Sequence, residues 1–149
     1  GIHPDIVTTA KAIGGGLPFA VTMFADSCQH ALTDHTHGST FGGNPICAAG
    51  AISIIDRLDD DLMADVLKKG EYVKKELESC QNVEWVSGLG LMIGVKLKKD
   101  LMEVVNGCVD AGVLVLTAGT EAIRLLPPLV ITKEEMDQLT EILREVCLR

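Results

Sequence analysis

Aromatic side chains are scarce. The 149 residues hold one Trp, one Tyr and three Phe, 3% of the chain. There is no row of rings on which nucleic-acid bases could stack. Positive charge is short as well: 13 Lys and Arg face 21 Asp and Glu, a net charge of -8. That balance repels a phosphate backbone or an anionic lipid surface, and no basic cluster offsets it. The sequence therefore predicts no nucleic-acid partner and no membrane partner. Nor does any apolar run approach the ~20 residues needed to span a bilayer. Paired cysteines are also missing. Cys28, Cys47, Cys80, Cys108 and Cys147 are odd in number and widely spaced, with no Cys-x-x-Cys pair. Such spacing argues against a disulfide framework and against a zinc site. Cys47 and Cys108 lie on apolar helical faces and read as small buried hydrophobes. Free thiols of this kind suit a reducing cytoplasm.

What the chain has is aliphatic bulk, 47% apolar residues in all, and one oddly placed amine. Lys11 closes a short apolar run, Ile6-Val7-Thr8-Thr9-Ala10, and precedes Ala12-Ile13-Gly14-Gly15-Gly16. A lone basic residue between a strand-like segment and three glycines is an unusual place for a solvated charge. Glycines let a flat ligand approach the backbone, and an amine held there is what Schiff-base chemistry requires. The plainer reading is a lysine at the mouth of a Gly-rich loop that contacts only a phosphate or water.

The hydrophobic pattern divides the rest. Asp5 to Thr9 predicts a strand leading into the lysine turn. Phe19 to Ala25, apolar almost throughout, predicts a strand buried on both faces. Residues 26–41 read as an irregular or partly helical loop. Its His30, Asp34, His35 and His37 match no common metal-ligand template and read as solvated. Asn44-Pro45 is a helix start, with Asn as N-cap and Pro in the first turn. The helix Ile46 to Leu58 is apolar nearly all round and demands burial. A helix from Asp61 to Ser79 carries Leu62, Val66, Val73 and Leu77 on one stripe. Strands follow at Val83 to Val86 and Leu91 to Leu97, joined at Gly88-Leu89-Gly90. Then come a helix marked by Leu101, Val104, Val105, Cys108 and Val109, strands at Val113 to Leu116 and Ala122 to Leu125, and a last helix. Thr132-x-x-Glu135 is the capping box of that helix, which turns Met136, Leu139, Ile142, Leu143 and Val146 inward. This order predicts a small α+β unit with its helices on one face of an antiparallel sheet. Asp59-Asp60-Asp61 interrupts the apolar pattern and marks a boundary.

Four segments carry a family resemblance. They are Thr8-Thr9-Ala10-Lys11-Ala12-Ile13-Gly14-Gly15-Gly16-Leu17-Pro18, His37 to Pro45 (His-Gly-Ser-Thr-Phe-Gly-Gly-Asn-Pro), Ser87 to Gly94 (Ser-Gly-Leu-Gly-Leu-Met-Ile-Gly), and Leu116 to Gly119 with Ile123 to Leu129. Any one is weak, but in this order they resemble the class III aminotransferases, pyridoxal-phosphate enzymes acting on amines away from the alpha carbon. The motifs most resemble the branch that transfers the delta-amino group of N-acetylornithine to 2-oxoglutarate in arginine biosynthesis. Succinylornithine, ornithine or 4-aminobutyrate are the neighbouring alternatives.

The resemblance implies an α/β fold, the C-terminal part of a fold-type I transferase. Residues 1–58 would be the tail of the large cofactor-binding domain and residues 59–149 the small α+β domain. It implies that the chain starts just before its catalytic lysine. The acidic partner of the pyridine nitrogen and most of the phosphate cradle would lie upstream. The 149 residues alone would then be inactive, or would serve as a structural or interaction module. It implies pyridoxal 5'-phosphate as cofactor, a cytoplasmic homodimer, Lys11 as catalytic and cofactor-binding amine, Thr40 on the cofactor phosphate of the neighbouring subunit, Ser39 on the substrate, and Arg124 on the substrate carboxylate. The residues themselves leave open that Ser39 and Thr40 only cap turns, and that Arg124 only extends to water from a strand edge. Two positions depart from the family pattern: Ser87 where an arginine is expected, and Ala20 where glycine is more usual.

Overall fold

A computed structural model describes residues 1–148; Arg149, the last residue of the expected second domain, lies outside them. The chain divides into two compact units, one ending at Asp59 and the other beginning at Asp60.

In the first unit β1 (Ile6–Ala10) and β2 (Ala20–Phe24) form an antiparallel pair, in register from Ile6 opposite Phe24 to Ala10 opposite Ala20. Helix α1 (Pro45–Ile55) starts where the Asn44 carbonyl oxygen of the side chain accepts the N–H groups of Ile46 and Cys47, at 3.0 and 3.1 Å. It ends three residues earlier than its apolar pattern predicts, because tighter bonds from Arg57 to Ile54 and Leu58 to Ile55 close the last turn. Cys47 and Ala51 are buried, while Ile46 stays 71% exposed. The expectation that β2 is buried on both faces is not met: Met23 and Phe24 are exposed. Its partner β1 is a single short strand that is also largely exposed, so nothing in this two-stranded sheet covers it.

The second unit holds α2 (Asp60–Glu78), β3 (Val83–Leu89), β4 (Met92–Leu97), α3 (Leu101–Asp110), β5 (Leu116–Ala118), β6 (Ala122–Leu125) and α4 (Lys133–Leu148). Its sheet runs β3-β4-β6-β5, antiparallel throughout. Side chains alternate across a strand, so Ile93 and Val95 of β4 share one face with Ile123 and Leu125 of β6. Against that face pack Val73 and Leu77 of α2, Val104 and Cys108 of α3, and Leu143 and Val146 of α4. Burying an aliphatic side chain of this size stabilises by roughly 1.5–3 kcal/mol before entropy is counted. The capping box of α4 forms: Glu135 N–H donates to the Thr132 hydroxyl at 3.2 Å, and Thr132 N–H to the Glu135 carboxylate at 2.8 Å.

Two details correct the sequence pattern. The β3–β4 turn is at Gly90-Leu91, with Gly88 inside β3 at a φ of 132° that a side chain would strain. The strand expected at Val113 to Leu116 is found at Leu116–Ala118. Val113 and Val115 instead feed the core from the connection after α3, Val115 being buried.

Candidate active site

Lys11 sits in the connection between β1 and β2, at the first position of a 3-10 turn, Lys11–Gly14. Its φ is 61°, in the left-handed region that non-glycine residues rarely occupy. A residue held there costs of order 1–3 kcal/mol and persists only where its surroundings fix it. Those surroundings are glycines. A Cβ at Gly50 of α1 would come within 3.2 Å of the Gly14 carbonyl oxygen and 3.0 Å of Leu17; one at Gly15 would come within 3.0 Å of Ile54. The lysine turn therefore lies directly on α1, with Gly15 N–H bonded to Ala12 and Leu17 N–H to Gly14, both at 3.0 Å. The Lys11 side chain is exposed and its amine has no hydrogen-bond or ion-pair partner among the described residues.

Ser39 and Thr40 lie in the loop before α1. The Ser39 carbonyl accepts from Gly42 N–H at 3.2 Å, which closes a turn, while neither hydroxyl is engaged among the described residues. An open cavity of about 440 Å³ is lined by Pro18, Phe19, Ala20, Ser39, Phe41, the Gly42–Asn44 segment and Cys47. Ser39 faces it; Lys11 and Thr40 are not among its lining residues. Phe19 and Phe41 were given no site role in the sequence, although Phe41, a scarce aromatic next to Gly42 and Gly43, was a usable signal. Asn44 caps two of the amides at the start of α1, as the Asn44-Pro45 pair predicts.

Arg124 belongs to β6 of the second unit and is half-buried. Its guanidinium donates to the Thr117 carbonyl at 3.3 Å and pairs with no carboxylate among the described residues. Nearby, Lys96 is held between Glu121 at 3.3 Å and Glu84 at 3.5 Å. The hydrogen bond to Glu121, with the charge of Glu84 adding to it, raises the Lys96 pKa above its ordinary value. Glu121, which the sequence left without a role, is thus a partner of Lys96. The described residues contain no group of three or more His, Cys, Asp or Glu side chains arranged to hold a metal ion, and no helix among them is long and apolar enough to cross a membrane.

The Aminotransferase class-III family model matches residues 1–147. The acetylornithine aminotransferase of Haemophilus ducreyi is 41% identical over 97% of this chain and 37% of its own length. That of Bacillus cereus is 41% identical over 98% of this chain and 39% of its own. The chain thus spans well under half the length of these relatives. Among solved structures, the ornithine aminotransferase of Toxoplasma gondii superimposes with a TM-score of 0.90 at 29% identity, over 99% of this chain and 37% of that one. The acetylornithine aminotransferase of Elizabethkingia anophelis gives 0.88 at 28%, over 99% and 41%. Sequence and backbone agree over nearly every residue, and the chain belongs to the class-III aminotransferases, a family of enzymes.

Proposed function

We propose that the protein containing this chain is a pyridoxal-phosphate-dependent aminotransferase that moves the delta-amino group of N-acetylornithine to 2-oxoglutarate, a step of arginine biosynthesis. The observation that carries the reading is Lys11: an unpartnered primary amine, strained into a left-handed turn that glycines seat against α1. The donor set fits the cofactor, since an aldehyde requires a free amine and a phosphate requires hydroxyl donors such as that of Thr40. Pyridoxal phosphate, when bound, supplies the sink for negative charge at the reacting carbon.

The chain's own residues supply the rest. Lys11 Nζ would hold the cofactor at its aldehyde group and, when free, would be the base that takes a proton from the substrate carbon and later returns one. Thr40 donates its hydroxyl to the cofactor phosphate of the neighbouring subunit in a cytoplasmic homodimer. Ser39 contacts the substrate from the cavity wall, and Arg124 offers a planar fork to the substrate carboxylate.

Ornithine as donor is the second reading, favoured by the backbone match to the Toxoplasma gondii ornithine aminotransferase. A donor series on the whole protein separates the two. N-acetylornithine is expected to give a kcat/KM at least ten-fold above ornithine, succinylornithine and 4-aminobutyrate; a higher value for any of these sinks the substrate assignment. The 149-residue polypeptide alone is expected to show no turnover.

A further inference from the structure

Two of the five thiols meet in the second unit. Cys80 stands just past the end of α2, and Cys147 lies in the last turn of α4. Both line one open cavity of about 220 Å³, together with Asn82 and Arg144. Cys80 is half-buried and Cys147 is buried. Cys108, the other thiol of this unit, faces the core and does not line the cavity.

Contacts on both sides pin the segment after α2 to the end of α4. The Asn82 side-chain amide donates to the Cys147 carbonyl. Arg144 donates to the Glu76 carbonyl at 3.3 Å and to the Ser79 hydroxyl at 3.4 Å, and pairs with the Glu76 carboxylate. The Cys80 thiol donates to that same Glu76 carbonyl at 3.6 Å. Cys147 follows Arg144 by three residues, and side chains at that spacing are neighbours on one helix face. The Cys80 sulfur and the Arg144 guanidinium thus share an acceptor, with Cys147 beside them. The interaction with Cys80, ahead of the charge of Glu76, raises the Arg144 pKa. Burial first, then the nearness of Cys80, pushes the Cys147 thiol up to about 11. Cys147 therefore stays protonated at neutral pH. Cys80 has the cavity mouth and the guanidinium, and a cation favours the thiolate that attacks a disulfide.

We propose that Cys80 and Cys147 are a reversible disulfide pair, which a small disulfide oxidant closes to tie the end of α2 to the last turn of α4. The Cys80 sulfur attacks one sulfur of the oxidant, giving a mixed disulfide and releasing one oxidant thiol. Cys147 gives up its proton and attacks the Cys80 sulfur. The protein's own sulfur–sulfur bond forms as the mixed one breaks, and the second oxidant thiol leaves. Two protein thiols lose two electrons and two protons, and the oxidant takes them up as two thiols. A reducing compartment keeps the pair open. Neither sulfur takes part in the chemistry assigned to Lys11.

The probe is glutathione disulfide, added to the whole protein that contains this chain. After acid quenching, free thiols are alkylated and the protein is cut with trypsin without reduction. Cys80 falls in the peptide 76–96, Cys147 in 145–149 and Cys108 in 100–124, so each pairing has its own mass. The peptides 76–96 and 145–149 should be recovered linked, and dithiothreitol should separate them. Cys147→Ala should stop the reaction at glutathione on Cys80. Cys80→Ser should leave Cys147 alkylated and unoxidised. Recovery of both parent peptides alkylated and unlinked would overturn the pair, and so would a link from either to 100–124. A parent that accumulates glutathione on Cys80 without closing, or a Cys147→Ala protein whose Cys80 stays unmodified, would overturn it as well.

Discussion

Gly70 sits in the middle of α2, where helix propensity alone favours alanine by about 1 kcal/mol. The structure predicts the opposite outcome. A Cβ at Gly70 would stand 2.9 Å from Gly90 Cα and 2.6 Å from the Gly90 carbonyl carbon, and closer still to its oxygen. These are all backbone atoms, so no rotamer can turn away. Moving the Gly90 carbonyl oxygen, the nearest atom, out to ordinary contact at 3.4 Å separates α2 from the β3–β4 turn by more than about 1 Å. The same movement lifts Val73 and Leu77 off the sheet. Overpacking of this kind costs about 1–3 kcal/mol, and a clash against rigid backbone belongs at the upper end. Less the propensity gain, Gly70→Ala should destabilise by about 2 kcal/mol. At about 4–8 °C per kcal/mol for a domain of about 60–100 residues, the melting temperature should fall by about 10 °C. Trp85 emission during thermal and urea unfolding follows the unit that contains Gly70. Gly107→Ala is the control. Its nearest neighbour is Val146 Cγ1 at 3.1 Å, the end of a side chain that can give, so its effect should stay within about 1 kcal/mol. A Gly70→Ala protein that melts at or above the parent temperature would refute the described contact.

Two further outcomes follow from single side chains. Asn44→Ala removes the cap of α1 and should cost about 1 kcal/mol, read as a roughly five-fold loss of hydrogen-exchange protection at Ile46 and Cys47; Asn44→Asp should retain protection. The hydrogen bond from Lys133, then that from Tyr72, holds the Asp137 carboxyl below the usual carboxylate range. A depressed carboxylate contributes stability that is present above its unfolded pKa and is lost as pH falls through the folded one. Asp137→Asn should therefore flatten the decline in stability below about pH 4; parallel acid limbs for the two proteins would contradict the assignment.

Local signals were legible where the chemistry is local. Asn44-Pro45 and Thr132-x-x-Glu135 read correctly because a cap is decided within four residues. The 3.6-residue stripes of α2 and α4 were read for the same reason. Misreadings arose where distant chain decides. The apolar run at β2 resembles a buried strand, but burial depends on what lies over it, and its one sheet partner among the described residues is the exposed β1. Val113 and Val115 look like strand residues yet serve the core from an irregular connection, because β5 pairs in register through Leu116 opposite Arg124. Gly70 gives no sign in the sequence that Gly90 will press against it. Of the site, Lys11 and Arg124 stood out as lone cations in apolar segments. The seating of the lysine turn on Gly50 and Ile54 became visible only with the fold.

The most direct test exchanges Lys11 for alanine in the whole protein that contains this chain. Transamination of N-acetylornithine should fall by at least a thousand-fold, since general base and covalent attachment are lost together. Reduction with borohydride in the presence of pyridoxal phosphate should no longer label the Lys11 peptide that the parent protein yields. Turnover retained by a folded Lys11→Ala protein would contradict the account.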